Sequence, residues 1–135
     1  MQESRRYRIF IPHAWSFHEY YRIKKFLNND PSLIYSDYSV SKENALEIKG
    51  KKKLQEALVR RIGLAQIVLI IAGMEVNSRK FISFELETAY EMNKPIVGII
   101  PRGMQRIPTI VNEYANEIVG WNGNSIVEAI YRNIL

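Results

Sequence analysis

The sequence predicts an α/β fold built on a parallel sheet covered by helices on both faces, and two observations carry that prediction. Short, wholly apolar runs, above all Ile67–Ala72 (IVLIIA) and Ile96–Ile100, alternate with segments whose apolar residues recur every three or four positions. A run that is apolar at every position fits a strand buried on both faces, the situation of a central parallel strand. The intervals between runs also leave room for a helix at each crossover. Right-handed crossovers pack such helices back onto the sheet.

The elements follow in order. Tyr7–Ile11 reads as a first strand, stopped by Pro12 and His13. Phe17–Leu27 carries Tyr20, Tyr21, Ile23, Phe26 and Leu27 at helical spacing, and Asn28, Asn29, Asp30 and Pro31 end that helix. Leu33–Tyr35 is a brief second strand. The polar stretch Ser36–Asn44 is a long loop of the kind that often carries function. Helix two spans about Lys49–Ile62, with Leu54, Leu58 and Ile62 recurring every four residues. Ile67–Ala72 is the central strand, Lys80–Met92 helix three, and Ile96–Ile100 the fourth strand. Pro108–Tyr114 forms a short helix, Ile118–Trp121 an edge strand, and Ser125–Leu135 a last helix behind the turn at Asn122, Gly123 and Asn124. Five strands in this rhythm predict a flavodoxin-like three-layer fold, strand order 2-1-3-4-5, as one domain over residues 1–135. In such sheets ligands bind beyond the carboxyl ends of the strands, where the order reverses between strands one and three. That directs attention to Pro12–Ser16, Ser36–Ser41 and Gly73–Glu85.

Composition narrows the function classes. The chain has 135 residues, 47% hydrophobic and 24% charged, enough for a core without staples and too apolar for a large disordered tail. It has no cysteine, which excludes disulfides, thiolate metal sites and a cysteine nucleophile and fits the cytoplasm. Met1–Arg8 is charged, and no apolar run approaches the roughly 18 residues of a membrane helix, so neither secretion nor membrane insertion is expected. The net charge of +5 favours anionic partners in general. Its densest part, Lys49 and Lys51 to Lys53, is expected to be a solvated helix flank, which makes nucleic-acid binding a minor alternative.

One carboxylate stands out. At about 100° per residue, with Ile82 as origin, Leu86 falls near 40°, Ala89 near 340° and Met92 near 280°, defining the buried arc of helix three. Glu85 falls inside that arc near about 300°, whereas Glu87 and Glu91 fall near 140° and 180°, on the solvated side. A carboxylate early on an apolar face is costly unless it is paired, protonated or facing a cavity. A structural ion pair with Arg60 or Arg61 is the alternative to a site role. Competing chemistries lack their motifs. No glycine loop opens a helix after strand one, and the ends of strands one and three are not acidic. His13 and His18 lack metal-ligand spacing, and there is no nucleophile elbow.

These residues also match a family. FIPHAW at Phe10–Trp15, IYSDYSVSKENA at Ile34–Ala45, the buried IVLIIAG, SRKFISFELETA at Ser78–Ala89 and KPIVGI at Lys94–Ile99 resemble the TIR domain. The resemblance is greatest to the bacterial TIR-like proteins of the Thoeris antiphage system and covers about the first hundred residues. It implies a TIR-like fold with Glu85 as the catalytic residue and Phe81 as the aromatic four residues before it. Ser78 falls at the family's serine. Phe10, Pro12, His13 and Trp15 belong to the loop over the substrate, and Asp37, Tyr38 and Ser39 to the loop that gates it. The chain departs from the family pattern with Pro12 in place of serine, Phe81 in place of tryptophan, and no basic residue at Ala14 or Trp15.

The resemblance further implies an NAD+ glycohydrolase or ADP-ribosyl cyclase, with NAD+ as substrate and no cofactor or metal. The leaving nicotinamide is already cationic, so one carboxylate can suffice to stabilise an oxocarbenium-like transition state. Trp15, Tyr38 and Phe10 are candidates to stack on or wall in the bases. The product would be a cyclic or conjugated ADP-ribose signal for an effector protein on a separate chain. Self-association is also implied, with Phe84, near about 200° on the polar side of helix three, as an exposed contact candidate. Two alternatives stay open: a non-catalytic TIR interaction module, and an N-glycoside-cleaving enzyme similar to the nucleoside deoxyribosyltransferases, which use a glutamate as nucleophile.

Overall fold

The computed structural model describes residues 6–12, 17–39, 50–71, 75–101, 103 and 109–134; the side chains at 17–19 and 75–82 lie outside that description. Within it, strands β1 (Arg6–Phe10), β2 (Ile34–Asp37), β3 (Ile67–Ile71), β4 (Ile96–Ile99) and β5 (Glu117–Val119) alternate with five helices. These are α1 (Phe17–Asn28), α2 (Lys51–Leu64), α3 (Glu75–Glu91), α4 (Thr109–Tyr114) and α5 (Gly123–Ile134). All strand pairings are parallel, and the order is β2-β1-β3-β4-β5. This is the flavodoxin-like α/β fold expected from the alternation of apolar runs.

Strand register assigns the two faces. Successive side chains alternate between faces, and partners in register share one. Ile9 is in register with both Asp37 and Ile67, whereas Phe10 pairs with Val68, Val68 with Ile96, and Ile70 with Gly98. Asp37 reaches Tyr20 and Lys24 of α1, and Tyr7 meets Tyr131 of α5 edge-on at 5.7 Å, so α1 and α5 cover the first face. Gly98 lies against Val111 of α4, and α2, α3 and α4 pack side by side on the second face. Phe10, Val68 and Ile70 point toward that second layer.

All five residues of β3 are buried, none more than 1% exposed, because both layers cover the strand. Burying each such isoleucine or leucine stabilises the fold by about 1.5–3 kcal/mol. α3 ends in a left-handed turn at Asn93 (φ 59°), where the Asn93 N–H donates to Tyr90 O at 3.0 Å and the Lys94 N–H to Ala89 O at 2.9 Å. Asparagine tolerates that conformation better than most residues, and the turn aims Pro95 into β4.

Several boundaries differ from the sequence expectation. β2 runs from Ile34 to Asp37, so Ser36 and Asp37 belong to the strand and not to the following loop. All four of its residues are half-buried, as suits an edge strand, and the apolar signal there is weak. α3 begins at Glu75 instead of Lys80, its first turns being polar. Met92 follows the last helical residue and is 37% exposed, outside the buried arc where helical phase placed it. Trp121 lies beyond β5, which ends at Val119. Lys51, Lys52 and Lys53 are exposed as expected, while Lys49 lies outside the described residues. Among the described residues no helix is long and apolar enough to cross a membrane.

Close packing of the sheet against α4 gives a direct test. A Cβ at Gly98 would sit 2.8 Å from Val111 Cγ1, and Val111 is itself buried. Gly98→Ala should lower stability by about 1–3 kcal/mol through overpacking. Adding Val111→Ala should recover part of that loss, with both read from chemical-denaturation midpoints.

Candidate active site

Glu85 is the eleventh of the 17 residues of α3, past its middle and not in its early part as the expected Lys80 start had placed it. Leu86 and Ala89 are fully buried, Glu85 is 6% exposed, and Glu87 and Glu91 are exposed. Helical phase therefore separated the three glutamates correctly. On one flank of α3, Tyr90 stacks edge-on against Tyr114 of α4 at 5.3 Å. On the other, Phe84 lines a groove of about 580 Å3 with Lys52, Gln55, Glu56, Val59 and Arg60 of α2. Phe84 is half-buried against the core, not the freely exposed aromatic expected from its phase, because α2 packs beside it. Glu85 lies about 100° from Phe84 toward the sheet. It thus occupies the seam between α2 and α3. Since α2 packs on β1 and α3 on β4, that seam lies over β3, at the strand-order reversal.

Three polar or charged residues are buried among the described residues: Ser39, Glu85 and Thr88. Ser39 Oγ accepts the Ile11 N–H at 2.8 Å, and Thr88 Oγ1 donates to the Phe84 carbonyl at 2.7 Å. Glu85 has no hydrogen bond or ion pair among the described residues. Burial alone pushes its carboxyl up to about 8, so at neutral pH it rests mostly protonated. The alternative of a structural ion pair is not what is observed. Arg61 places its guanidinium over the Tyr38 ring at 5.3 Å, and Arg60 lines the outer groove. A carboxyl held this way can ionise when a positive charge arrives and stabilise a cation that forms beside it.

The other predicted site residues divide between the faces. Phe10, 1% exposed, points into the layer that contains Glu85, and Pro12, just beyond β1, is buried. Tyr38 is held by its N–H to Ile9 O at 2.8 Å and by Arg61. Asp37 faces the other way. Its Oδ1 accepts the Ser39 N–H at 2.9 Å, while its Oδ2 accepts the Tyr20 hydroxyl and pairs with Lys24 Nζ at 3.2 Å. Burial pushes the Asp37 carboxyl up, but the hydrogen bonds from Ser39 and Tyr20 and the Lys24 charge outweigh it and hold the group below the ordinary aspartate value. His13 and Trp15 lie outside the described residues. So do the side chains of Ser78 and Phe81, whose backbones lie in α3. Sequence reasoning missed the polar network around Asp37; the i,i+4 spacing of Tyr20 and Lys24 was the only signal for it. It also missed the groove beside Phe84.

The sheet order places the molecule among flavodoxin-like α/β proteins, and a buried carboxyl without a partner among the described residues marks a candidate site on the α2–α3 side. The chain belongs to the family described as Thoeris protein ThsB, TIR-like domain, whose model matches residues 10–106. No curated protein sequence matches the chain. Among solved structures it is similar to the 2-deoxyribosyltransferase of Bacillus psychrosaccharolyticus, at 16% identity and a TM-score of 0.65, covering 88% of this chain and 89% of that one. It is also similar to the Clostridium botulinum CMP N-glycosidase BcmB, at 15% identity and a TM-score of 0.56, covering 93% and 98%. At these identities the likeness establishes the fold alone.

The raised Glu85 carboxyl makes a stability prediction with a defined sign. From its ordinary value of 4.5 up to about 8, the folded chain keeps a proton that the unfolded chain has lost. Stability is therefore fullest below pH 4.5 and falls as pH rises through 8, by about 1.4 kcal/mol per pH unit at most. Glu85→Gln stays neutral throughout. Its melting temperature relative to wild type should climb between pH 5 and about 8 and then level off, as calorimetry would show; a constant difference would contradict a buried, titrating Glu85.

Proposed function

We propose that this protein cleaves the bond between nicotinamide and ribose in NAD+ and yields a cyclic or conjugated ADP-ribose signal. In the antiphage setting of its family, that signal would act on an effector carried by a separate chain. The observation that carries this reading is Glu85, a buried carboxyl without a partner among the described residues, over the reversal point of the sheet. Family membership supports the setting, and the TIR resemblance supplies the substrate. Both structural neighbours are named for enzymes that break or exchange bonds between a sugar and a base, which fits the reading at the level of bond type.

The chemistry follows from charge. The pyridinium ring of NAD+ supplies a counter-ion that Glu85 lacks among the described residues, so substrate binding favours loss of the Glu85 proton. As the glycosidic bond breaks, its electron pair leaves with nicotinamide, which departs neutral and needs no general acid. Positive charge moves to the ribose, where the ionised Glu85 stabilises it in a site from which water is largely excluded. Capture by water gives ADP-ribose and a proton. Capture by a nucleophilic group of the folded-back adenosine end gives a cyclic isomer. Phe10 and Pro12 help wall the site on the sheet side. No metal or cofactor enters the scheme. We place this activity in a single cytoplasmic domain that self-associates. A module that only bound other proteins would have no use for an unpaired buried carboxyl, which costs stability.

Glu85→Gln should lower NAD+ cleavage by about 100-fold or more while leaving circular dichroism unchanged. Mass spectrometry of nicotinamide and ADP-ribose products, from purified protein and from phage-challenged cells, reads the outcome; full activity in the variant would sink the mechanism. Because the ionised carboxylate is the working form, kcat/KM for NAD+ should rise with pH and level off above about 8. The rise in kcat should come at lower pH, since bound pyridinium favours the ionised form.

A further inference from the structure

Asp37 belongs to a network that reaches the site from the opposite face of the sheet. Its Oδ2 gathers the Tyr20 hydroxyl and the Lys24 ammonium, both from α1. Its Oδ1 accepts the N–H of Ser39, two residues on, at 2.9 Å. That contact fixes the turn in which the buried Ser39 hydroxyl oxygen accepts the Ile11 N–H at 2.8 Å. Between them, the Tyr38 N–H donates to Ile9 O at 2.8 Å. β2 ends at Asp37, so beyond it a serine side chain takes over the pairing that a strand backbone would otherwise supply to the chain after β1. Ile11 is fully buried and leads directly into Pro12, at the carboxyl end of β1 where the ligand cleft of such sheets lies. The side chain of Asp37 itself points to the α1 face, away from Glu85.

We propose that Asp37 is a positioning residue for the site, a role that rests on the NAD+-cleaving reading above. Through Ser39 it sets the path of Ile11 and Pro12, and it does so without touching substrate. The carboxylate suits this task because it is an acceptor with two oxygens: one serves α1 and the other serves the turn, so α1 and the end of β1 move together. Loss of the network loosens the chain that covers the substrate and leaves Glu85 in place, which predicts weaker substrate binding at nearly unchanged turnover.

The test uses Ser39→Ala and Asp37→Ala in the full chain, with Asp37→Asn as the conservative variant that keeps an oxygen for the Ser39 N–H. Where Asp37→Ala does not fold, Tyr20→Phe removes one donor to Asp37 and keeps the ring. Amide hydrogen exchange should show the Ile11 amide exchanging about tenfold faster or more in Ser39→Ala and Asp37→Ala, with the β3 amides unchanged. KM for NAD+ should rise about fivefold or more with kcat within about twofold of wild type, and Asp37→Asn should fall between. Unchanged protection of Ile11, or kcat falling with the folded fraction at constant KM, overturns the proposal. Wild-type protein that neither binds nor cleaves NAD+ would sink the functional reading, whereas the exchange arm decides the hold of Asp37 on Ile11 in either case.

Discussion

The fold depends on β3 having to be buried from both sides. Five consecutive aliphatic residues cannot face water on either face, so the chain must supply two helical layers and place β3 between other strands. Right-handed crossovers then leave few solutions, and the observed order puts β1 and β3 side by side with connections that leave in opposite directions. In sheets of this kind ligands bind at such a divergence, which here is a by-product of satisfying β3. The α2–α3 seam over the same strand is where the chain places its one buried carboxyl without a partner among the described residues.

That carboxyl runs against the logic of the surrounding core. Ile70 and Val68 of β3 point toward its layer, which is otherwise largely apolar. Thr88, one turn further along α3, shows how a polar side chain is ordinarily accommodated: its hydroxyl donates to the carbonyl four residues back. A glutamate at that depth has no such local answer, because its oxygens accept and do not donate once ionised. Burial resolves this by protonation, with the carboxyl pushed up to about 8.

How much of this was legible in the sequence depends on where the physics was local. The strands β3 and β4 announced themselves because every residue is buried. Glu85, Glu87 and Glu91 of α3 sorted correctly because exposure on a helix follows a fixed angle. β2 was read short because an edge strand with half-buried residues lacks a strong apolar signal. The onset of α3 was read late because its first turns are polar. Phe84 was assigned to the solvent because helical phase describes one helix at a time, and its burial comes from α2 packed beside it. The direction of Asp37 is of the same kind: it follows from register with Ile9, a relation between strands that one-dimensional patterning does not contain.

The two faces of the sheet carry different polar chemistry. On the α1 side Asp37 is surrounded by donors and is held ionised; on the α2–α3 side Glu85 has none among the described residues and is held neutral. Hydrogen bonding and desolvation thus push two carboxyls of one sheet in opposite directions. A carboxylate whose oxygens are already taken by Tyr20, Lys24 and Ser39 has little capacity left for a ligand. Glu85, with both oxygens uncommitted among the described residues, keeps that capacity. β1 lies between the two strands concerned: it is paired to β2, which carries Asp37, on one side and to β3, beneath the α2–α3 seam, on the other.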